Sequence, residues 1–158
     1  MIYILLILRA FDNKQIFSEI SPYIDKKKKV CVLAYSFFHA FYPNEKAYSE
    51  YYSEKGPYYE KILNSFSIFG IEELIWIDYY KDSEEEAIKK LNEADIVYLP
   101  GGAPDEMMKR IKEKRLLKAL RDETKTYIGV SAGTMIQFSH YYISPDNEYH
   151  KFSEERGL

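Results

Sequence analysis

The 158-residue chain is poor in the residues that build disulfide frameworks, metal centres and phosphate-binding loops: it has one cysteine, three histidines and seven glycines. Cys31 stands alone, so no internal disulfide is possible, and its place in the run Val30-Cys31-Val32-Leu33-Ala34 predicts a buried structural thiol. The histidines, His39, His140 and His150, have no ligand spacing with one another, with the cysteine or with a carboxylate. No metal site is expected from that pattern, and no cofactor. Excess charge of one sign is also missing. The net charge is −3, with acids and bases spread along the chain, which argues against a nucleic-acid groove or an acid-rich tail and favours small, nearly neutral or peptide-like partners. The basic run Lys26 to Lys29 follows a Pro22-containing turn and reads as solvated side chains at the approach to a strand. Long hydrophobic stretches are lacking too. Met1 to Leu8 is apolar but too short to cross a bilayer, and it has neither a basic leader nor a small-residue cleavage site, so no membrane association is expected and the cytoplasm is the default location.

With 46% hydrophobic residues, the chain is long enough to bury one sizeable core and too short to divide comfortably, so residues 1–158 are read as a single domain. Short apolar, β-branched runs recur: Ile2 to Leu8, Val30 to Ala34, Glu73 to Ile77, Ile96 to Leu99 and Thr126 to Val130. Helix-like stretches separate them. Asn13 to Ile20 forms a first helix, Asn44 to Phe69 a long helical region broken at Gly56-Pro57, and Ser83 followed by Glu84, Glu85 and Glu86 a well-capped start. A further helix begins after Gly101-Gly102 at Pro104, with Met107, Ile111, Leu116, Leu117 and Leu120 as its apolar positions; Met107 and Met108 are read as core. The alternation predicts a three-layer α/β sandwich around a mainly parallel sheet. The tyrosines between Tyr48 and Tyr59 have the spacing of an amphipathic packing face.

The chemistry is concentrated where the fifth apolar run meets a helical pattern, Gly129-Val130-Ser131-Ala132-Gly133. A serine in a G-x-S-x-G turn between strand and helix takes up a strained backbone, and the flanking glycines remove side chains that would collide with the adjoining elements. Its hydroxyl then projects above the carboxyl edge of the sheet while the next amide, that of Ala132, points at the forming helix, so nucleophile and oxyanion donor arise together. A second strand, Ile96 to Leu99, also ends in a glycine turn before a helix, Pro100-Gly101-Gly102, and the amide near Gly102 is a candidate for the other donor. Two such turns at neighbouring strand ends converge on one crevice.

Leu99-Pro100-Gly101-Gly102 together with Gly129-Val130-Ser131-Ala132-Gly133 resembles the aspartyl dipeptidase and cyanophycinase family of serine peptidases, which shares the class I glutamine amidotransferase-like, flavodoxin-like fold. The resemblance runs from the first strand through the elbow to the segment after Ile143-Ser144-Pro145-Asp146. It implies a hydrolase that cleaves an amide or peptide bond in a small substrate, with Ser131 as nucleophile, Gly102 and Ala132 as oxyanion amides and a histidine from a later strand as base. Two departures stand out. Ala103 occupies a position where relatives often carry asparagine, and the chain reaches Gly157-Leu158 about where the family continues into the strand that delivers the histidine. The family's usual base is therefore not expected within residues 1–158, and the expected sheet edge left without those strands makes self-association a further expectation.

Of the histidines present, His39 lies in the aromatic loop Phe37 to Phe41 at the expected site edge, and His150 follows Asp146 and Glu148 in a loop-like tail; both are candidate bases. His140 is expected on or just after the helix that follows Ser131, carried away from it. Two alternatives accompany the hydrolase reading. One is a degenerate, catalytically weak member that binds without efficient turnover. The other is a flavodoxin-like module holding an anion at Gly101-Gly102, which the lack of a longer glycine-rich loop disfavours.

Overall fold

Along a buried strand successive side chains leave on opposite faces, and here both faces are apolar, which calls for a helical layer on each side. The computed structural model describes residues 2–6, 14–122 and 124–158, and the backbone alone for residues 2–6 and 14–16. Ile7 and Leu8 of the expected first strand, and Asn13 of the expected first helix, lie outside them. Five strands, β1 (Ile2–Leu6), β2 (Val30–Leu33), β3 (Ile75–Ile77), β4 (Ile96–Leu99) and β5 (Thr126–Val130), form one parallel sheet in the order β1-β5-β4-β2-β3. Val30, Val32, Trp76, Ile96, Tyr98, Ile128 and Val130 face one layer. It is built by α1 (Lys14–Ile20), α2 (Glu45–Tyr52) and α3 (Pro57–Ser67). Cys31, Leu33, Ile77, Val97, Leu99 and Tyr127 face the other, where α4 (Glu84–Glu93) and α5 (Pro104–Glu113) bring Leu91, Met107, Met108 and Ile111. The expected three-layer α/β sandwich with a parallel sheet is the observed one.

The local signals act as their chemistry requires. Asn44 Oδ1 accepts from Ala47 N at 3.0 Å to start α2, and Pro57 opens α3 where a missing N–H costs nothing. Ser83 and Glu86 form a reciprocal capping box on α4, and hydrogen bonds from the Ser83 main-chain N–H first and the Ser83 hydroxyl second hold the Glu86 carboxyl below the usual range. The tyrosines pack as the amphipathic face predicted, and they also tie elements together: Tyr48 Oη donates to Ala34 O and accepts from Tyr79 N, both at 3.3 Å, while Tyr59 Oη accepts from Leu74 N at 3.1 Å. At the β3 edge of the sheet, Lys90 Nζ takes the Trp76 carbonyl at 2.8 Å and ion-pairs with Asp82. A strand seeking to add there meets an occupied acceptor and a lysine.

Three expectations are corrected. The helix that starts at Pro104 ends at Glu113, and Leu116 and Leu120 reach the core from turns and the short 3-10 segment Ala119–Arg121. The third strand begins at Ile75 rather than Glu73. After Ser131 the helix α6 (Ala132–Met135) is only four residues long, and the chain turns into an antiparallel hairpin, β6 (His140–Ile143) with β7 (Ser153–Arg156). His140 therefore opens a strand, and His150 sits in a hairpin connection rather than a loose tail. Among the described residues no helix is long and apolar enough to cross a membrane.

Cys31 is fully buried, and burial pushes its thiol up to about 12. Iodoacetamide at neutral pH is expected to leave Cys31 unmodified in the folded protein and to alkylate it fully in denaturant. Comparable rates in the two states would contradict this placement.

Candidate active site

β4 and β5 are adjacent, with Leu99 opposite Gly129, so the turns that leave them stand side by side at the carboxyl edge of the sheet. Ser131 has φ 50° and ψ −113°, a conformation that costs a non-glycine residue about 1–3 kcal/mol and persists only where the surroundings impose it. They do so from both sides. A Cβ on Gly133 would stand 1.8 Å from Leu99 O, so only glycine lets α6 seat on the end of β4, and Gly129 likewise leaves room for Gly133 O and Gln137. Thr134 Oγ1 donates to Gly129 O at 2.8 Å, and the amides of Thr134 and Met135 donate to Ser131 O at 2.8 and 3.0 Å. The serine side chain is left exposed at the apex of this turn.

The paired glycines reach the same place. A Cβ on Gly101 would lie 3.3 Å from Ser131 Cβ, which sets the Gly-Gly turn directly against the serine. Gly102 has φ 146°, and a Cβ there would lie 2.0 Å from Ser36 O. Ser36, fully buried in the connection after β2, brackets Gly102: its Oγ donates to Gly101 O at 2.9 Å and its carbonyl accepts from Ala103 N at 2.7 Å. Among the described residues neither the Gly102 nor the Ala132 N–H reaches a main-chain or side-chain acceptor. Ser131, Gly101, Gly102 and Ala132 thus stand side by side at this sheet edge, with Ser36 beside them, a residue the sequence did not single out. The only signal for Ser36 was a polar residue within Ala34 to Phe38, at the same sheet edge.

A cavity of about 490 Å³ opens at the same carboxyl edge of the sheet, lined by residues that follow β2, β3 and β4, including Phe37, His39, Tyr79, Tyr80, Asp105 and Glu106, with neither Ser131 nor the paired glycines in its lining. His39 is exposed, and its main-chain N–H donates to Glu106 Oε2 at 2.8 Å. The hairpin leans onto the same helix end: Tyr149 Oη donates to Asp105 Oδ1 at 2.5 Å, and its ring packs near Phe38. Burial first and the Asp105 hydrogen bond second raise the Tyr149 hydroxyl above the tyrosine range, so it remains a donor at neutral pH. His150, next to Tyr149, is exposed, as is His140, whose Nδ1 lies 3.3 Å from Ser139 Oγ. Among the described residues no histidine is hydrogen-bonded to Ser131, and no three His, Cys, Asp or Glu side chains gather as a metal-binding set. Another cavity, of about 540 Å³, lies at the opposite, amino-terminal edge of the sheet, lined by Lys26, Lys29, Glu72 and Glu73 among others, and shares none of these groups.

The fold is similar to that of a candidate peptidase E protein from Listeria monocytogenes EGD-e, with a TM-score of 0.58 and 22% identity over 85% of this chain and 59% of that one. It is also similar to a peptidase from an acI-B1 Actinobacterium, with a TM-score of 0.54 and 13% identity over 89% and 57% of the two chains. The chain therefore spans less than two thirds of the length of either. Among curated proteins none matches. The family model for peptidase family S51 matches residues 47–154, a stretch that holds both glycine turns and Ser131. On that match the chain belongs to peptidase family S51.

Proposed function

We propose that this chain hydrolyses an amide or peptide bond in a small substrate, with Ser131 as the attacking group of a nucleophile elbow. The observation that carries the reading is the exposed serine at φ 50°, held against a Gly-Gly turn with the amides of Gly102 and Ala132 free beside it. Attack of Ser131 Oγ on the substrate carbonyl places a negative charge on the carbonyl oxygen. Two preorganised main-chain donors stabilise that charge more than they stabilise the planar substrate. The hydroxyl proton must leave as the C–O bond forms and must reach the departing amine as the C–N bond breaks, which is the work of a base. His39 and His150 are the candidates, since both flank the first turn of α5 at the same sheet edge, His39 through Glu106 and His150 through the neighbouring Tyr149–Asp105 bond. A binding-only reading is favoured by one observation, that no histidine among the described residues is bonded to Ser131.

A fluorophosphonate probe, with the adduct located by mass spectrometry, separates the two readings. The expected result is a single adduct on Ser131 that is lost in Ser131→Ala, with slower labelling in whichever of His39→Ala or His150→Ala removes the base. Folded protein that takes no adduct would support binding without turnover.

A further inference from the structure

The geometry points to Arg110 as the residue that positions the Gly102 amide. Arg110 lies on the second turn of α5 and is only 6% exposed, an unusual burial for a guanidinium. Its Nη1 donates to two main-chain carbonyls, Tyr35 O at 2.7 Å and Phe37 O at 2.6 Å. These are the residues on either side of Ser36. Ser36 in turn holds the residues on either side of Gly102, through Gly101 O and Ala103 N. The result is a two-step bracket: the guanidinium fixes the Ser36 peptide from both flanks, and Ser36 fixes the Gly102 peptide from both flanks.

The other faces of the guanidinium are occupied as well. Its plane lies over the Phe37 ring, with the central carbon 3.4 Å from the ring centroid, and Nη2 pairs with Glu106 Oε2 at 2.5 Å. The same carboxylate oxygen accepts from His39 N. Only a planar fork with several donors can bridge two carbonyls, stack on an aromatic face and pair with a carboxylate at once; an ammonium delivers a point charge and no stack. A helix that needed a cation merely for solubility would leave it in water. Here the charge is withdrawn into the loop that shapes the candidate oxyanion turn, so a shift of that loop moves the Gly102 N–H.

This inference rests on the Ser131 reading for its functional meaning, and its test separates the two. In Arg110→Lys, and in Ser36→Ala, which removes only the hydroxyl donor, fluorophosphonate labelling of Ser131 is expected to slow by about tenfold or more, towards the ~10²-fold effect of losing an oxyanion donor. The Gly102 amide resonance should move in the heteronuclear spectrum of each variant, while that of Gly70, at the other edge of the sheet, stays in place. Arg110→Met should slow labelling further than Arg110→Lys. Folded Ser36→Ala and Arg110→Lys with an unmoved Gly102 resonance, or with the wild-type labelling rate where the wild type labels, would overturn the positioning role and leave the nucleophile untouched. If the wild type itself takes no label, the Ser131 reading fails, and the Gly102 resonance still decides whether Arg110 sets that amide.

Discussion

Gly133→Ala is expected to destabilise the protein by about 3 kcal/mol, the upper end of overpacking costs, with the denaturant midpoint falling accordingly. The added methyl would stand 1.8 Å from the Leu99 carbonyl and 2.8 Å from its side chain. The opposing atoms belong to the end of a central strand, so they cannot swing away as a surface side chain can. Relief must come from lifting α6, which carries Ser131 with it. Against a total stability of about 5–15 kcal/mol, the loss is a large fraction. Gly101→Ala is the informative comparison, because its methyl would meet Ser131 Cβ and Val130 O at 3.3 Å, tight contacts that a small adjustment absorbs. It should retain most of the stability while crowding the serine. A wild-type midpoint for Gly133→Ala would mean that α6 does not rest on β4 in solution.

That contrast bears on how much of the molecule was legible in its sequence. The sheet was legible because a strand buried on both faces must be apolar throughout, and Val30 to Leu33 and Ile96 to Leu99 have no alternative use in a chain of this size. The Ser131 turn was legible because chirality leaves its mark in the letters: close backbone approach at Gly133 and positive φ at Gly102 each demand glycine. The hairpin after α6 was not legible. Its second strand, Ser-Glu-Glu-Arg, is polar and solvent-facing, and no tight-turn dipeptide announces it. Arg110 was hidden for a different reason. Its partners at Tyr35 and Phe37 are main-chain carbonyls, which every residue type supplies, so nothing in the sequence distinguishes it from the neighbouring exposed Lys109. The base stayed open because proton transfer depends on a side chain's position relative to Ser131, and a loop histidine carries no spacing rule.

Alkali is expected to unfold this protein steeply, beginning near the ordinary tyrosine pKa of about 10. Tyr35, Tyr48, Tyr52 and Tyr141 are all buried, and burial raises each hydroxyl above that value; neighbouring carboxylates add to the effect at Tyr35, Tyr48 and Tyr141. Between the unfolded and the folded pKa, the native state keeps protons that the unfolded chain releases. Stability therefore is fully present below pH 10 and falls as pH rises, by about 1.4 kcal/mol per pH unit for each such tyrosine. Acting together, the four remove about 5 kcal/mol per unit, enough to exhaust a typical margin within a few units. Tyrosinate absorbance should therefore rise in two steps, exposed tyrosines first and the buried set cooperatively with loss of circular dichroism. Tyr35→Phe isolates the cause, since Tyr35 Oη has no hydrogen-bond partner among the described residues, so the substitution deletes an ionisation without deleting a bond. It should leave neutral-pH stability unchanged or raised and move the alkaline midpoint upward. Tyr48→Phe loses the bonds to Ala34 and Tyr79, so it should lower stability at neutral pH even as its own titration disappears. An alkaline midpoint that Tyr35→Phe leaves in place would show that tyrosine burial is not what sets it.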